Sequence, residues 1–325
     1  MGQVWFWCNT VAGTGIKREM ENARVILKRS AVRHSCLAVC CSLLGVLASA
    51  RPQDPPVEAS RPGSVVFQRV ISNQKKTDDA LNVYERIERV ENRKTGSDPQ
   101  AQQTKISRVI PAGTGVAHIP VGPEGQPADA VGYRTEIEKL EKSLAWAVER
   151  GRAQQEAYEK VAKKRKERDA LIEAAGLAFV FTFLATEQRE SHTLLKYRME
   201  PNPKFKPTTR TSAVYTKVRG TVWIDEPSGQ LARIEGEVTD DISVGLFLAK
   251  VYKGSRFMEE CYQIAPGIWL PTYSQYDFDG RKFFVPFSIH ERTFYTKYRY
   301  IGQPAEALSA IRAELGKSAP SVADR

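Results

Sequence analysis

The second half of the chain is cut by short turns at close to ten-residue intervals, and this spacing constrains the fold more than any other feature. The segments 220–225 (GTVWID) and 231–238 (LARIEGEV) flank Glu226-Pro227-Ser228-Gly229, and the pairs Lys253-Gly254, Pro266-Gly267 and Asp279-Gly280 follow. Between them, strands are expected at 245–252, 256–264, 268–278 and 282–300. Strands joined in chain order by tight turns pair antiparallel, because a parallel pair needs a crossover of roughly a dozen residues or more. Upstream, 179–186 (FVFTFLAT) alternates and is expected to pair with 192–199 (HTLLKYRM). Residues 82–94 read as helix or strand, and with 105–110 (KISRVI) they suggest a hairpin around Gly96-Ser97-Asp98-Pro99.

Helical spacing appears at four places. Val65, Val66, Phe67, Val70 and Ile71 predict an amphipathic helix over 64–80. A long helix is expected over 133–175, with Thr135 and Glu138 as a capping box and Ile137, Leu140, Leu144 and Val148 as its apolar stripe. Gly151 is a point of interruption in it. Shorter helices are expected near 212–218 and 305–315. The stretch 111–132 holds five glycines and four prolines and reads as loop, with a short strand at 116–121. The expected class is therefore α+β: an antiparallel half-open β-barrel, or strongly curved sheet, closed by helices.

The N-terminus reads as an address. Residues 36–50 (CLAVCCSLLGVLASA) form the one long apolar run, and 15 residues at 1.5 Å each span about 22 Å, short of the ~30 Å bilayer core. Arg24, Lys28, Arg29 and Arg33 precede it, and Ala48-Ser49-Ala50 ends it in the small-x-small pattern of a cleavage site. The expectation is a secretory signal peptide over 1–50, cleaved after Ala50, with Met20 a more natural start than Met1. A disordered linker over 51–63, one domain over 64–315 and a flexible tail over 316–325 complete the expected organisation. Residues 1–50 hold six of the 48 Lys/Arg and two of the 38 Asp/Glu, so the rest of the chain carries 42 against 36, or +6. Four of the five cysteines fall in that segment, and Cys261 alone remains to an exported, periplasmic chain. A single thiol forms no internal disulfide, so the fold has to rest on its core. A chain of this length buries about three-quarters of its unfolded surface, which is sufficient for that.

No G-x-S-x-G, H-E-x-x-H, phosphate-binding loop or C-x-x-C is present, and Gly113-Thr114-Gly115 is too short for a nucleotide fingerprint. His118, His192 and His290 are widely separated, and the pairs Asp225-Glu226, Asp240-Asp241 and Glu259-Glu260 sit on strands or turns, where neighbours point to opposite faces. No catalytic residue, metal site or cofactor is assigned. An enzyme would need His192, His290 and an acidic residue to converge in one cleft. The basic run containing Lys163, Lys164, Arg165 and Lys166 is interleaved with Glu159, Glu167 and Asp169. It reads as a solvated helix face or as a contact for an envelope protein or an anionic membrane surface, and nucleic acid is not an expected partner. The aromatic residues of the second half read either as core or as the lining of a cavity. The lining candidates are Phe181, Phe183, Trp223, Phe247, Trp269 and Phe283.

The segments 220–226 (GTVWIDE), 231–235 (LARIE) and 267–272 (GIWLPT) resemble the outer-membrane lipoprotein-sorting group, which includes LolA-type carriers and RseB-type sensors. The likeness covers about 70 residues, 220–290, and marks fold more than activity. The chain as a whole resembles exported proteins of soil bacteria, which brings no function with it. The resemblance implies a half-open barrel with a hydrophobic cavity and a non-catalytic protein that binds lipid or lipoprotein acyl chains. No individual cavity residue carries over by motif. The chain departs from a simple carrier in its length, its 111–132 loop and its basic helix. The two functional expectations are thus an exported acyl-chain binder and an envelope partner-binding sensor or scaffold without a lipid ligand.

Overall fold

The computed structural model describes residues 62–94, 102–244 and 249–317. The expected signal peptide, most of the linker and the end of the tail lie outside the described residues. Helix α1 (Pro62–Ala80) leads into strands β1 (Tyr84–Lys94), β2 (Gln102–Pro111) and β3 (Val116–Pro120). Helices α2 (Ala130–Val148) and α3 (Arg152–Ala178) follow, then β4 (Phe179–Arg189), β5 (His192–Pro201) and a 3-10 turn, Ser212–Lys217. The meander runs through β6 (Val218–Asp225), β7 (Leu231–Val238), β8 (Ile242–Val244), β9 (Ala249–Val251), β10 (Arg256–Ala265), β11 (Ile268–Lys282) and β12 (Val285–Tyr300), and α4 (Pro304–Lys317) closes the chain.

All strand pairs are antiparallel, and the order along the sheet is β3-β2-β1-β12-β11-β10-β7-β6-β5-β4, with β9 paired to β11 and β8 to β9. The sheet is curved and does not close, so β3 and β4 are open edges. The single long crossing pairs β1 with β12 and brings the N-terminal hairpin onto the far end of the meander.

Two helix pairs cover this sheet. Phe67 and Val70 of α1, Ala175 and Ala178 of α3 and Tyr215 of the 3-10 turn pack on Tyr197, Met199, Val222, Ile234, Phe257 and Phe278. This is the inner face. On the other side of β2 and β3, Ile110 and Ile119 meet Ile137, Leu140 and Leu144 of α2 and Ala307, Leu308 and Ile311 of α4. In the register, Val109 of β2 pairs with Arg86 of β1, which neighbours Glu88 opposite Tyr295, so Ile110 points to the opposite face. The two helix pairs therefore lie on opposite faces at opposite ends of one sheet.

Several local expectations are corrected. The long helix is two helices, because Glu149 and Gly151 are extended (ψ 154° and 167°). The cap of α2 is Asp129, which accepts from Val131 and Gly132 N–H, six residues ahead of Thr135 of the expected box. Thr135 instead donates to the Val131 carbonyl inside the helix. The expected turn at Asp279-Gly280 lies within β11, and the chain reverses at Phe283-Phe284. Gly280 serves close packing here: a Cβ would come within 2.2 Å of the Lys250 carbonyl oxygen and 2.7 Å of the Phe287 ring.

Candidate functional site

The inner face under α1 and α3 is the most apolar region described, and its strands explain why. On β4 the odd positions Phe179, Phe181 and Phe183 share one side, and on β5 Leu195, Tyr197 and Met199 do. The Phe67 ring of α1 stacks on Phe181 (centroids 3.6 Å) and meets Tyr197 edge-on at 5.2 Å, while Phe183 meets Tyr197 at 5.6 Å. The ladder runs from the buried core to the surface: Phe179 is buried, Phe181 half-buried and Phe183 54% exposed, with Leu177, Val180 and Leu184 exposed beside it. An apolar interior thus reaches solvent at the open edge β4.

Polar contacts hold α1 to α3 and to the sheet. Lys75 of α1 pairs with Glu173 of α3 at 2.5 Å, Arg168 with Asp78 at 3.0 Å, and Arg165 with Asp79. Arg69 donates to the Pro227 carbonyl and Asn73 to those of Ser228 and Gly229, pinning α1 on the β6–β7 turn. Burial raises the Asp78 carboxyl, and the Arg168 charge opposes that.

Farther along the inner face the character becomes polar. Glu259, opposite Ile234 and Ser274, is buried, and its Oε2 has no hydrogen-bond partner among the described residues. Its Oε1 lies 3.6 Å from Cys261 Sγ. Burial pushes the Glu259 carboxyl up to about 8 and the Cys261 thiol well above its ordinary range. Tyr295, bonded to Ser274 at 3.2 Å, is also raised by burial. A thiol held protonated in this way is a poor nucleophile.

The structure separates the six lining candidates. Phe181 and Phe183 meet through Phe67 and Tyr197. Trp223 neighbours Val222 on the other side of β6 and joins Trp269, Leu194, Ala232 and Cys261 in a small separate cluster. There its indole N–H donates to Glu187 at 2.8 Å, and Lys196 and Arg233 lie 4.9 and 5.1 Å from its ring. Phe283 sits at the β11–β12 tip, and Phe247 lies outside the described residues. Lys163, Lys164, Arg165 and Lys166 are all exposed, in a stretch of α3 with no buried residue between Gln154 and Arg168. Phe67 and Tyr197 are the ring partners that sequence reading did not single out as lining. Their signal was the helical stripe of 64–80 and the in-phase alternation of 192–199.

Two surface concavities lie elsewhere. One, of about 690 Å³, lies over β5–β7, β10 and β11 and is lined by charges including Arg198, Arg219, Arg233, Glu235, Glu237 and Arg256. The other, of about 560 Å³, lies between edge strand β3 and α2, beside Trp146. Neither is lined by the six aromatic candidates.

The histidines do not converge. His192 Nδ1 lies 2.9 Å from Asp225, and His290 Nδ1 lies 3.0 Å from Asp277. Their strands are five spacings apart in the sheet, about 24 Å along it. Ser228 bonds Asp225 rather than His192, so no Ser–His–Asp order results. Among the described residues no cluster of His, Cys, Asp or Glu has the arrangement of a metal site, and no helix is long and apolar enough to cross a membrane.

No protein-family model matches the chain, and no curated protein matches it. Three solved structures are similar to it. A LolA superfamily protein from Nitrosomonas europaea has 8% identity and a TM-score of 0.29, over 74% of this chain and 96% of that one. A DUF1329 family protein from Desulfovibrio piger has 9% identity and a TM-score of 0.29, over 74% and 94%. An outer membrane lipoprotein-sorting protein domain from Vibrio parahaemolyticus has 10% identity and a TM-score of 0.30, over 76% and 99%.

Proposed function

We propose that the protein is an exported, non-catalytic binder of lipid or lipoprotein acyl chains in the cell envelope. The observation that supports this reading is the aromatic ladder Phe181–Phe67–Tyr197–Phe183, which connects the apolar interior to solvent at the open edge β4. An acyl chain gains about 0.8 kcal/mol per buried CH₂, and a wall of rings and branched side chains supplies the matching surface. The interior is packed with side chains, so a ligand enters by displacing α1 and α3 from the inner face. Phe181 and Phe183 are the proposed contacts at the entry rim. The hairpin motifs of 220–272 and the expected signal peptide agree with such a protein.

Titration with a fluorescent C16 fatty acid tests the reading. Saturable binding is expected, with at least tenfold weaker affinity in the Phe181→Ala/Phe183→Ser variant. Absence of saturable uptake, or an unchanged affinity in a folded variant, contradicts it.

A second reading has its own observation. Most of α3 stands free of the sheet, and a helix polar on all sides commonly bridges through solvent to a partner. In this reading Lys163, Lys164, Arg165 and Lys166 contact an envelope protein. A complex recovered from envelope extracts and lost on charge reversal of these four residues supports it.

A further inference from the structure

We propose that the β11–β12 hairpin tip is a membrane-docking finger, which places Phe283, Phe284 and Val285 in the interface of a bilayer containing anionic lipid. Lys282 pairs with Val285, so Phe283 and Phe284 are the two central residues of the turn. Phe283 has φ +55°, a left-handed conformation that favours Gly, Asn or Asp in two-residue hairpins and disfavours a bulky ring. Phe284 is 91% exposed, Val285 68% and Phe283 53%. The inward alternation of β12 places Phe287 and Ile289 against the core, and the tip lies beyond it. Three consecutive large apolar residues thus stand in solvent, at a turn where polar residues would fold better.

Charge identifies the occupant. Arg281 is exposed and lies directly across from Lys250 of β9, and Lys282 adjoins the turn. Lys250 also pairs with Asp241 at 2.6 Å. Like charges directly opposite on paired strands are unfavourable, and a negative surface relieves them. Aromatic residues outermost with cations one to three positions behind follow the order of a bilayer interface, where rings sit at the acyl boundary and cations among phosphates. A protein groove would accept the rings but has no need of the cationic collar. The proposal stands apart from acyl-chain binding: a protein that docks on vesicles yet takes up no lipid keeps this inference and loses that one.

Vesicle flotation of the purified full chain is the test, with phosphatidylethanolamine/phosphatidylglycerol vesicles against vesicles of phosphatidylcholine alone. The expected result is flotation with the anionic vesicles that weakens with salt. It should fall at least tenfold in Phe283→Asn/Phe284→Ser and about threefold in Arg281→Gln, with an unchanged or higher melting temperature for the first variant. Phe284→Ser alone, at a fully solvated position, keeps the test decisive if the double variant misfolds. Equal flotation of the wild type and a folded Phe284→Ser variant overturns the proposal. So does binding that is abolished only by Lys163→Gln/Lys164→Gln/Lys166→Gln on α3, or loss of the tip's effect alongside retention of a protein partner.

Discussion

The helix pairs at the two ends of the sheet are held in unlike ways. At the α2/α4 end the seam between helices is apolar, built from Ile137, Leu140, Leu144, Leu308 and Ile311, and charge is buried beside it. Arg108 bonds Glu85 at 2.7 Å, Glu314 at 2.9 Å and Tyr133 at 2.5 Å, and Arg299 reaches Glu85 from β12 at 2.5 Å. Burial pulls the Arg108 charge down, but the carboxylates of Glu85 and Glu314 outweigh it and hold the guanidinium charged. At the α1/α3 end ion pairs, the buried Arg168–Asp78 pair among them, take the place of an apolar seam between the helices. Several ion pairs join the helices, and beneath them lies an apolar interior that opens to solvent along β4. The first end is a clamp that fixes the β1–β12 closure. The second is joined helix to helix by ion pairs within the α1/α3 unit, the arrangement that the proposed displacement of α1 and α3 requires.

The comparison breaks first at the clamp. Arg108→Ala leaves Glu85 buried without its main partner, and an unfolding free energy lowered by about 3–5 kcal/mol is expected from urea titration. A loss below 1 kcal/mol would mean that the network is solvated and does not act as a clamp. Phe67→Ala, under the α1/α3 pair, should cost about 3 kcal/mol, the low end for a buried ring, because its stacking partner Phe181 is only half-buried. Loss of fatty-acid binding in that variant at a temperature where it stays folded would sharpen the contrast.

Glu259 sharpens it by pH. Its carboxyl is raised to about 8 by burial, so the folded state holds a proton that the unfolded chain releases near the ordinary range. Stability should fall as pH rises from about 4.5 to about 8, by up to ~1.4 kcal/mol per pH unit, and level off above. Glu259→Gln should flatten that slope and be the more stable protein at pH 8. An unchanged slope would show that other groups set it. The smallest effect on stability belongs to the rim: Phe183→Ser should change the unfolding free energy by less than about 0.5 kcal/mol while weakening fatty-acid binding severalfold.

Much of the architecture was legible because turn chemistry and two-residue alternation are local. The 220–238 hairpin and the β10–β11 meander stand where the pattern places them, as do Ile137, Leu140 and Leu144 of the α2 stripe, whereas Val148 is exposed and Ala147 is buried in its place. What was not legible depends on packing between distant segments. The pairing of β1 with β12, which sets the sheet order, leaves no trace in either strand. The chain turns at Phe283-Phe284 because Gly280 is needed for the close approach of Lys250 and Phe287, and a glycine read locally suggests a turn. Trp223 and Phe181 look alike as aromatic residues on strands, yet parity puts Trp223 on the other side of β6, away from the inner face that holds Phe181. Glu259 was read only as one of the neighbouring carboxylates Glu259-Glu260; it is in phase with the inward residue Phe257, and its burial depends on β11 and β7.

The central claim is that the α1/α3 end holds an acyl chain. Native mass spectrometry of the protein purified from a periplasm without detergent, followed by solvent extraction, addresses it most directly. The account predicts a stoichiometric adduct that resolves into phospholipid or acylated peptide and is lost in Phe181→Ala/Phe183→Ser. A protein that arrives empty and takes up no lipid from vesicles would contradict it.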